Sequence, residues 1–371
     1  MQSNSQKAFL ELVRAGLWEK KVQLLSYGEV DFDTVFQLAQ EQSVVGLVAA
    51  GLKQVVDVSV PQETVLHFIG MALQFEQWNK DMNLFVGDLF GRLESAGITA
   101  VLVKGQGVAQ CYAKPLWRSC GDVDLFLNDA NYKKTKSFLT PLATSVAKEG
   151  VREKHLGMTI DSWIVELHGR LYGGLSSRIE KELDDVYHDT FCRGNVRMWE
   201  DDKVSVSLLS VENDAFYVFT HFLQHFYKGG VGLRQICDWC RLLWTYRDKL
   251  ELQSLRSRIH RAGLTSEWKA FGAFAVKYLG MPTEAMPFYS ADSGWMRKAD
   301  KICSFILEVG NMGHNRDSSF FRKYPYVIRK ACSLGRRVSD LCHHARIFPL
   351  DSARFSFAIM VNGIKSALRG E

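Results

Sequence analysis

Two short segments of alternating hydrophobicity constrain the fold of this chain more than any other feature of its sequence. Residues 121–127 (GDVDLFL) and 163–168 (WIVELH) carry apolar side chains at every second position, which is the period of a half-buried β-strand. On either side of this part of the chain, apolar residues recur every three to four positions, as they do in amphipathic helices. The sequence therefore predicts an α+β fold in which a small mixed sheet lies between two helical regions.

These changes of pattern divide the chain into three predicted parts. We expect an N-terminal helical region at residues 1–95, an α/β core at 96–203 and a C-terminal helical domain at 204–371. The core begins with a β-branched apolar run at 98–103, which predicts a buried strand, and this run ends in the glycine-rich turn at 104–107. After about residue 204 the pattern is helical again, and it predicts helices at 215–227, 233–246 and 252–262.

The composition is that of a globular protein, because 47% of the residues are hydrophobic and 23% are charged. No apolar run reaches the ~18 residues that a membrane-spanning helix needs. The first residues also lack the pattern of a secretory signal peptide, so we expect a cytoplasmic protein with reduced cysteines. Cys237 and Cys240 form a CxxC pair without a second pair to complete a zinc site, which favours two buried structural thiols.

Positive charge is concentrated at the C-terminal end of the chain. The net charge is +5, and residues 316–371 contain 11 Lys or Arg against 4 Asp or Glu. This basic segment could contact phosphates, nucleic acid or a membrane surface, or it could simply be a solvated helical surface. A nucleic-acid partner is possible but not favoured, because no motif combines basic and aromatic residues in the way nucleic-acid modules do.

Three carboxylates are the candidate metal ligands. Asp122 and Asp124 stand at positions i and i+2 of a predicted strand, so both project from the same face. Adjacent carboxylates repel each other unless a cation lies between them, and Mg²⁺ prefers such oxygen ligands. Glu166, on the second alternating segment, would supply a third carboxylate and complete a site for Mg²⁺ or Mn²⁺.

A candidate phosphate site precedes these acids in the chain. The predicted strand at 98–103 runs into Lys104 and Gly105, and a short helix is predicted at 108–114. Backbone N–H groups at such a turn are available to an anion. Lys104 and Arg118 could neutralise part of the negative charge of bound phosphates.

Together these segments resemble a known family. The sequences KGQGVAQCY (104–112), RSCGDVDLFL (118–127) and VELHGRL (165–171) resemble the bacterial uncharacterised nucleotidyltransferase family, within the polymerase-β-type nucleotidyltransferase superfamily. The resemblance continues into HFLQHFYKGGVGLRQICDW at 221–239, and it covers roughly residues 95–245. It implies that the predicted α/β core is a nucleotidyltransferase core.

The resemblance also implies an activity and a set of site residues. The expected reaction moves a nucleoside monophosphate from a nucleoside triphosphate, in the first instance ATP, to a hydroxyl group of an unknown acceptor. Asp122, Asp124 and Glu166 would be both the catalytic residues and the metal ligands. The residues expected on the nucleotide side are Lys104, Gly105, Gln106, Arg118 and His168. Gln106 departs from the superfamily pattern, which usually has Gly or Ser at that position.

Several alternatives remain open at the level of the sequence. The chain could be a catalytically inactive nucleotide-binding or regulatory protein on the same scaffold, because a fold does not fix a function. His221 and His225, one helical turn apart, could be packed polar groups or could line the cleft that holds Asp122. Arg234 and Asp238 could form an exposed ion pair on one helix, or Asp238 could point into the cleft.

Overall fold

The computed structural model describes residues 2–150, 154–201, 204–311 and 339–368, with side chains described up to residue 359. Residues 316–338 and 369–371 of the predicted basic segment lie outside these residues. Within them, no helix combines the length and the apolar character that crossing a membrane would require.

Four helices form the N-terminal region: α1 (Asn4–Trp18), α2 (Phe32–Glu41), α3 (Val45–Leu52) and the 34-residue α4 (Gln62–Ser95). Helix α1 begins with a capping box, in which Ser3 and Gln6 satisfy each other's backbone N–H groups. Helices α1 and α3 touch backbone to backbone at Gly16, where a Cβ atom would lie 1.9 Å from the carbonyl oxygen of Leu47. This contact therefore requires glycine, and it holds the two helices together.

The sheet has seven strands: β1 (Val101–Val103), β2 (Asp122–Phe126), β3 (Ser145–Val146), β4 (His155–Ile160), β5 (Trp163–His168), β6 (Val196–Asp201) and β7 (Val204–Leu209). Their spatial order is β3-β4-β5-β2-β1-β7-β6. The β2–β5 and β1–β7 pairs are parallel and the other pairs are antiparallel. Three helices are interleaved with the strands: α5 (Gly105–Ala109), α6 (Asp129–Leu139) and α7 (Ser177–Phe191).

The C-terminal part is helical, with α8 (Val211–Lys228), α9 (Leu233–Thr245), α10 (Leu252–Ala262), α11 (Thr265–Leu279), α12 (Ser293–Val309) and α13 (Pro349–Leu368). Residues 339–347 are also helical. Aromatic rings fill the space between α8, α9 and α11. Phe219 lies 5.2 Å from Trp239 and 4.7 Å from Trp268 between ring centroids, and all three side chains are fully buried. Such aromatic contacts add to the large apolar area that these side chains bury.

The sheet separates two hydrophobic cores. One face packs against α4 and α6 through alternate strand residues, among them Leu102, Val123, Leu125, Val165 and Leu167. The other face joins the large core of the helical regions through Val103 and Phe126. The helices α8 and α9 lie on this second side, where the strands also present polar residues.

The α+β prediction is confirmed, and the predicted strand at 163–168 matches β5 residue for residue. The prediction that the helical pattern resumes at about residue 204 is wrong, because residues 204–209 form β7. This strand pairs with β1 and β6, and its alternating Val204, Val206 and Leu208 are buried on the α4 side of the sheet. The predicted boundary at 203 therefore falls between two paired strands, although the division into three domains itself stays a prediction.

Two smaller predictions concern the turn after β1 and the cysteine pair. The helix predicted at 108–114 begins earlier and ends earlier, as α5, because the backbone turns into helix directly at Gly105. Cys237 and Cys240 are free thiols and fully buried, as predicted.

Candidate active site

The three predicted carboxylates come together on the second face of the sheet. Strands β2 and β5 run parallel with Asp124 opposite Glu166, and Asp122 projects from the same face two residues before Asp124. One oxygen of each carboxylate lies within 4.8 Å of an oxygen of the other two. The strand register thus brings into one cluster residues that are more than forty positions apart in the sequence.

This cluster fits a divalent cation. Asp124 is only 1% exposed, and its charge, together with burial, raises the pKa of Asp122 above its ordinary value. A cation bound between the carboxylates would relieve this repulsion. All three ligands offer oxygen, which Mg²⁺ and Mn²⁺ prefer, and the cluster leaves coordination positions for water or phosphate oxygens.

Lys104 already places a positive charge against these acids. Its Nζ atom lies 2.9 Å from Oδ1 of Asp124 and 3.3 Å from Nε2 of His221. Burial is the largest influence on the pKa of Lys104 and would lower it, but the charges of Asp124, Tyr217 and Asp122, with the hydrogen bond to Asp124, together raise it. The backbone of Lys104 has φ of 57°, a strained conformation for a residue with a side chain. This strained backbone lies directly after β1, and the ammonium group of Lys104 points into the cleft.

Gly105 allows the turn after Lys104 to lie against β2. Its φ is 41°, and a Cβ atom there would stand 3.4 Å from the carbonyl oxygen of Asp122. A residue with a side chain would be strained at this φ, and this favours glycine at the turn. Gly105 also lines the cleft, so its role in the geometry is to bring the turn close to the acids.

Two histidines contact the acids from the side of β4 and β5. Nε2 of His168 is 2.7 Å from Oδ1 of Asp124, and Nε2 of His155 is 3.1 Å from Oε2 of Glu166. Hydrogen bonds from His155 and His168 lower the pKa of Glu166, although burial opposes them. Burial likewise works against a charged His168, but its bonds to Asp124 and Glu166 raise its pKa. His155 was not among the predicted site residues, although the alternation of HLGMTI at 155–160 places it on the strand face away from the apolar core.

The opposite wall of the cleft comes from the helical region. His221 and His225 of α8 line it, together with Arg234 and Asp238 of α9. Burial and the positive charge of Lys104 lower the pKa of both histidines, and that of His225 falls to about 4. Both imidazoles are therefore neutral near pH 7. The sequence left open whether His221 and His225 are packed polar groups or line the cleft that holds Asp122, and in the structure both line the cleft.

Arg118 lies at the edge of the cleft but is already paired. Its Nε and Nη2 atoms bind the two carboxylate oxygens of Asp238, each at 2.7 Å, and the hydroxyl of Tyr112 donates to the same carboxylate. Asp238 therefore pairs with Arg118, and the surface pair with Arg234 that the helical spacing allowed does not form. The bidentate geometry and burial leave Arg118 little freedom to follow a ligand.

Arg234 is the cleft cation with the least neutralised charge. Its Nη1 atom donates to the carbonyl oxygen of Ser119 at 2.7 Å, and its buried Nε atom has no hydrogen-bond partner. Among the residues described, no carboxylate lies within ion-pair distance of it. Its positive charge is close enough to lower the pKa of Asp122. The i, i+4 spacing of Arg234 and Asp238 suggested an ion pair on the helix surface, and it gave no sign that Arg234 lines the cleft.

The structure does not bring the side chain of Gln106 into the cleft. This residue is 2% exposed, and its amide points towards α4, where it donates to Asn83 and accepts from the thiol of Cys120. Gln106 therefore has no amide group free for a phosphate in this arrangement. Any contact of residue 106 with a ligand would involve its backbone.

These residues surround a cleft of about 240 Å³ between the sheet and helices α8 and α9. The charged and histidine side chains that line it are Lys104, Arg118, Asp122, Asp124, Glu166, His221, His225, Arg234 and Asp238. Carboxylates, cations and neutral imidazoles thus face one another across a space that can hold part of a nucleotide. A site that combines acidic metal ligands with cations can bind a metal–phosphate ligand.

Comparisons with known proteins found one family model and one solved structure to which this chain is similar. A family model described as uncharacterised nucleotidyltransferase matches residues 28–280, which include every residue that lines the cleft. A crystal structure of an antigenic nucleotidyltransferase-like protein from Paracoccidioides brasiliensis is similar over 50% of this chain and 91% of that chain, with 15% identity and a TM-score of 0.30. The comparison with curated proteins gave no match.

Proposed function

Since this chain belongs to the uncharacterised nucleotidyltransferase family, we propose that it transfers a nucleoside monophosphate from a nucleoside triphosphate, first of all ATP, to a hydroxyl group. The observation that carries the proposal is the cluster of Asp122, Asp124 and Glu166, whose oxygens lie within 4.8 Å of one another and which line the cleft. The acceptor would be a second substrate bound next to the triphosphate.

The same three carboxylates would hold Mg²⁺ or Mn²⁺. When bound there, the metal would neutralise phosphate charge and favour loss of the proton of the acceptor hydroxyl. The side chains of the cleft would position the triphosphate and the acceptor hydroxyl for the reaction. The acceptor oxygen attacks the α-phosphorus, the bond from this phosphorus to the bridging oxygen breaks, and pyrophosphate leaves with the electron pair. The hydroxyl proton passes to a carboxylate of the cleft or to solvent.

Lys104 and Arg234 would stabilise the triphosphate. Both line the cleft, and Arg234 has no carboxylate partner among the described residues. Lys104 would exchange its contact with Asp124 for a phosphate oxygen when a metal takes over that carboxylate. Arg118 would act on the nucleotide side through the Asp238 pair, which fixes the position of α9. His168 would hold Asp124 in place through its hydrogen bond.

Further elements of the proposal rest on the resemblance of the motifs. We place the core in the polymerase-β-type superfamily and the protein in the cytoplasm of a bacterium. The N-terminal helical region, the core and the C-terminal helical domain would act as three parts, with the helical parts forming the acceptor side of the cleft. The support for this arrangement is that α8 and α9 supply a whole wall of the cleft.

Metal-dependent nucleotide binding tests the proposal. ATP would be titrated calorimetrically into the protein with and without Mg²⁺, comparing the wild type with the double variant Asp122→Asn/Asp124→Asn. The control is Asp161→Asn, which removes an exposed charge from the turn between β4 and β5. We expect Mg²⁺ to strengthen ATP binding in the wild type and the control but not in the double variant. If Mg²⁺ strengthens ATP binding equally in all three proteins, Asp122 and Asp124 are not the metal ligands.

One observation favours a second function, that of a nucleotide-binding protein without transferase activity. Gln106 replaces the small residue usual in the superfamily, and its side chain is held by Asn83 and Cys120 rather than open to phosphate. Release of pyrophosphate from ATP in the presence of candidate hydroxyl acceptors separates the two functions. Metal-dependent binding without any release of pyrophosphate would favour the second.

A further inference from the structure

A second group of potential metal ligands adjoins the three carboxylates and differs from them in chemistry. His155 of β4 and Glu166 and His168 of β5 each offer one ligand atom, and the three atoms lie within 4.8 Å of one another. We infer that His155, Glu166 and His168 form a second metal site, which takes a divalent transition-metal ion such as Zn²⁺ or Co²⁺. This inference goes beyond nucleotidyl transfer and does not depend on it.

The strand register explains why the three side chains converge. Strands β4 and β5 are antiparallel, with His155 directly opposite His168 and with Gly157 opposite Glu166. Side chains of directly paired residues lie on the same face of a sheet. Because Gly157 has no side chain, His155 can lean along the face towards Glu166. The rings of His155 and His168 accordingly lie 4.9 Å apart between centroids.

The distances between the ligand atoms suit a single ion. Oε2 of Glu166 is 3.1 Å from Nε2 of His155 and 3.6 Å from Nε2 of His168. An ion bound at ~2.0–2.2 Å to each of two ligands, as Zn²⁺ is, holds those ligands roughly 3–3.5 Å apart. The site therefore needs only small side-chain movements to close around an ion.

The donor set determines which class of metal is preferred. Two imidazole nitrogens and one carboxylate oxygen favour ions such as Zn²⁺ and Co²⁺ over Mg²⁺, whereas Asp122, Asp124 and Glu166 offer oxygen alone. The side chain of His155 is 40% exposed, so the ion would have an entry path and an open position for water. An open coordination position is typical of metal sites that bind a substrate rather than only stabilise a fold.

The two groups of ligands share Glu166 and are linked through His168. Nε2 of His168 now contacts Oδ1 of Asp124 at 2.7 Å. One ring nitrogen cannot both donate to Asp124 and bind an ion, so metal binding at His168 would release this contact. Asp124 would then keep Lys104 as its charged partner. The carboxylate of Glu166 has two oxygens and can bridge neighbouring ions, as carboxylates do in two-metal sites.

The test is direct binding of Co²⁺ to the metal-free protein, without nucleotide. Visible absorption reports the ligand field of bound Co²⁺, and calorimetry gives the affinity. We expect wild-type protein to bind Co²⁺ with the spectrum of nitrogen and oxygen ligands. The His155→Ala variant should bind more than about tenfold more weakly, since even partners that only support a metal ligand change affinity by ~10–100-fold. His155→Gln, which keeps a polar side chain at this partly exposed position, guards against a misfolded alanine variant and should be similarly weakened.

One control locates the ion. His188 stands beside the exposed thiol of Cys192 on α7, with 3.7 Å between Nδ1 and Sγ, and is the alternative place for a transition metal. We expect His188→Ala to bind Co²⁺ as the wild type does. Unchanged Co²⁺ affinity in both His155 variants, or its loss in His188→Ala with a sulfur-to-cobalt absorption band, would overturn the inference. Absence of Mg²⁺-dependent ATP binding with intact Co²⁺ binding would instead count against the proposed function alone.

Discussion

The two faces of the central sheet are built from alternate residues of the same strands, yet they are stabilised in opposite ways. On the side of α4 and α6, Leu125 and Val165 are completely buried among apolar side chains. On the other side, the neighbouring residues Asp124 and Glu166 stand in a cleft among histidines and cations. The face towards α4 and α6 removes apolar area from water. The face towards the cleft brings charged side chains together where water is partly excluded.

Neighbouring residues of one strand therefore serve different purposes: one stabilises the fold, and the next lines the cleft. Burial of apolar side chains contributes free energy of folding whatever surrounds the far side of the sheet. A buried charge costs free energy unless a partner compensates it, and here the partners come from distant parts of the chain. Arg118 depends on Asp238 of α9, and Asp124 depends on Lys104 and His168. Substitutions on the two faces should therefore have different consequences.

The largest effect is expected at the buried ion pair that joins the cleft to the helical wall. Arg118→Ala leaves the buried carboxylate of Asp238 without its cation, with the hydroxyl of Tyr112 as its remaining donor, and should lower the free energy of unfolding by about 3–5 kcal/mol. Arg234→Ala loses one hydrogen bond to the backbone, and should cost only about 1 kcal/mol. Urea unfolding of both variants measures the difference. If the two variants are equally stable, the cleft is not held together by this pair.

The next effect compares adjacent residues on the two faces. Leu125→Ala removes a fully buried side chain and should lower the free energy of unfolding by about 2–5 kcal/mol, while the remaining folded protein still binds Mg²⁺ and ATP. Asp122→Asn removes a charge that Asp124 repels, and should leave stability unchanged or slightly higher while Mg²⁺-dependent ATP binding is lost. Chemical unfolding and calorimetry of both variants provide the test. A strongly destabilised Asp122→Asn would mean that this carboxylate has a structural role.

Acid should weaken the helical wall of the cleft. The pKa of His225 is lowered to about 4 by burial and by the charges of Lys104, Lys228 and Arg234. The unfolded chain therefore takes up a proton at higher pH than the folded protein does, and stability falls as the pH drops from the ordinary histidine value towards 4. The contribution of His225 amounts to at most about 3 kcal/mol. It is fully present above pH 6.5 and is lost towards about pH 4.

The measurement is the free energy of unfolding at several pH values for the wild type and His225→Gln. The carboxylates of the chain titrate in both proteins, so the informative quantity is the difference between the two slopes. We expect a shallower loss of stability on acidification in the variant. Parallel curves would show that His225 takes up its proton as readily in the folded state as in the unfolded state.

The smallest effect concerns competition between Lys104 and a metal ion for Asp124. In Lys104→Met, Oδ1 of Asp124 loses its ammonium partner, so Mn²⁺ affinity should rise about tenfold, which corresponds to ~1.4 kcal/mol. Affinity for ATP should fall relative to adenosine, because a phosphate contact is lost. Electron paramagnetic resonance of free Mn²⁺ and calorimetry give the two affinities. Lys80→Met, on the exposed surface of α4, is the matched control. Weaker Mn²⁺ binding in Lys104→Met would mean that Lys104 supports the metal site instead of competing with it.

Local patterns in the sequence predict much of the central sheet. The alternation of residues 163–168 predicted both the bounds of β5 and the face that carries Glu166. The i, i+2 spacing placed Asp122 and Asp124 side by side. At residues 204–209 the prediction of helix is wrong: VSVSLL alternates as a strand does, but it directly precedes the helical pattern of α8. The catalytic and metal-binding roles of these carboxylates stay predictions that the experiments above can test.

Pairing between distant residues was beyond the reach of such patterns. Helical spacing offered Arg234 as the partner of Asp238, but the carboxylate turned out to bind Arg118, 120 positions away. Gln106 was expected to face phosphates, and it is held instead by Asn83 and Cys120. His155 entered the site only because β4 pairs with β5 in a register that sets it opposite His168.

The sequence by itself determined the fold class, the strands that carry the acids, and the face on which those acids stand. Periodicity decides these features, because the side chains of a strand alternate between its two faces wherever the strand lies. Only the tertiary structure decided which cation keeps its charge available, which histidines meet Glu166, and which helices close the cleft. Those outcomes depend on distances of a few ångströms between elements far apart in the chain, and charge interactions in a buried cleft change steeply over such distances.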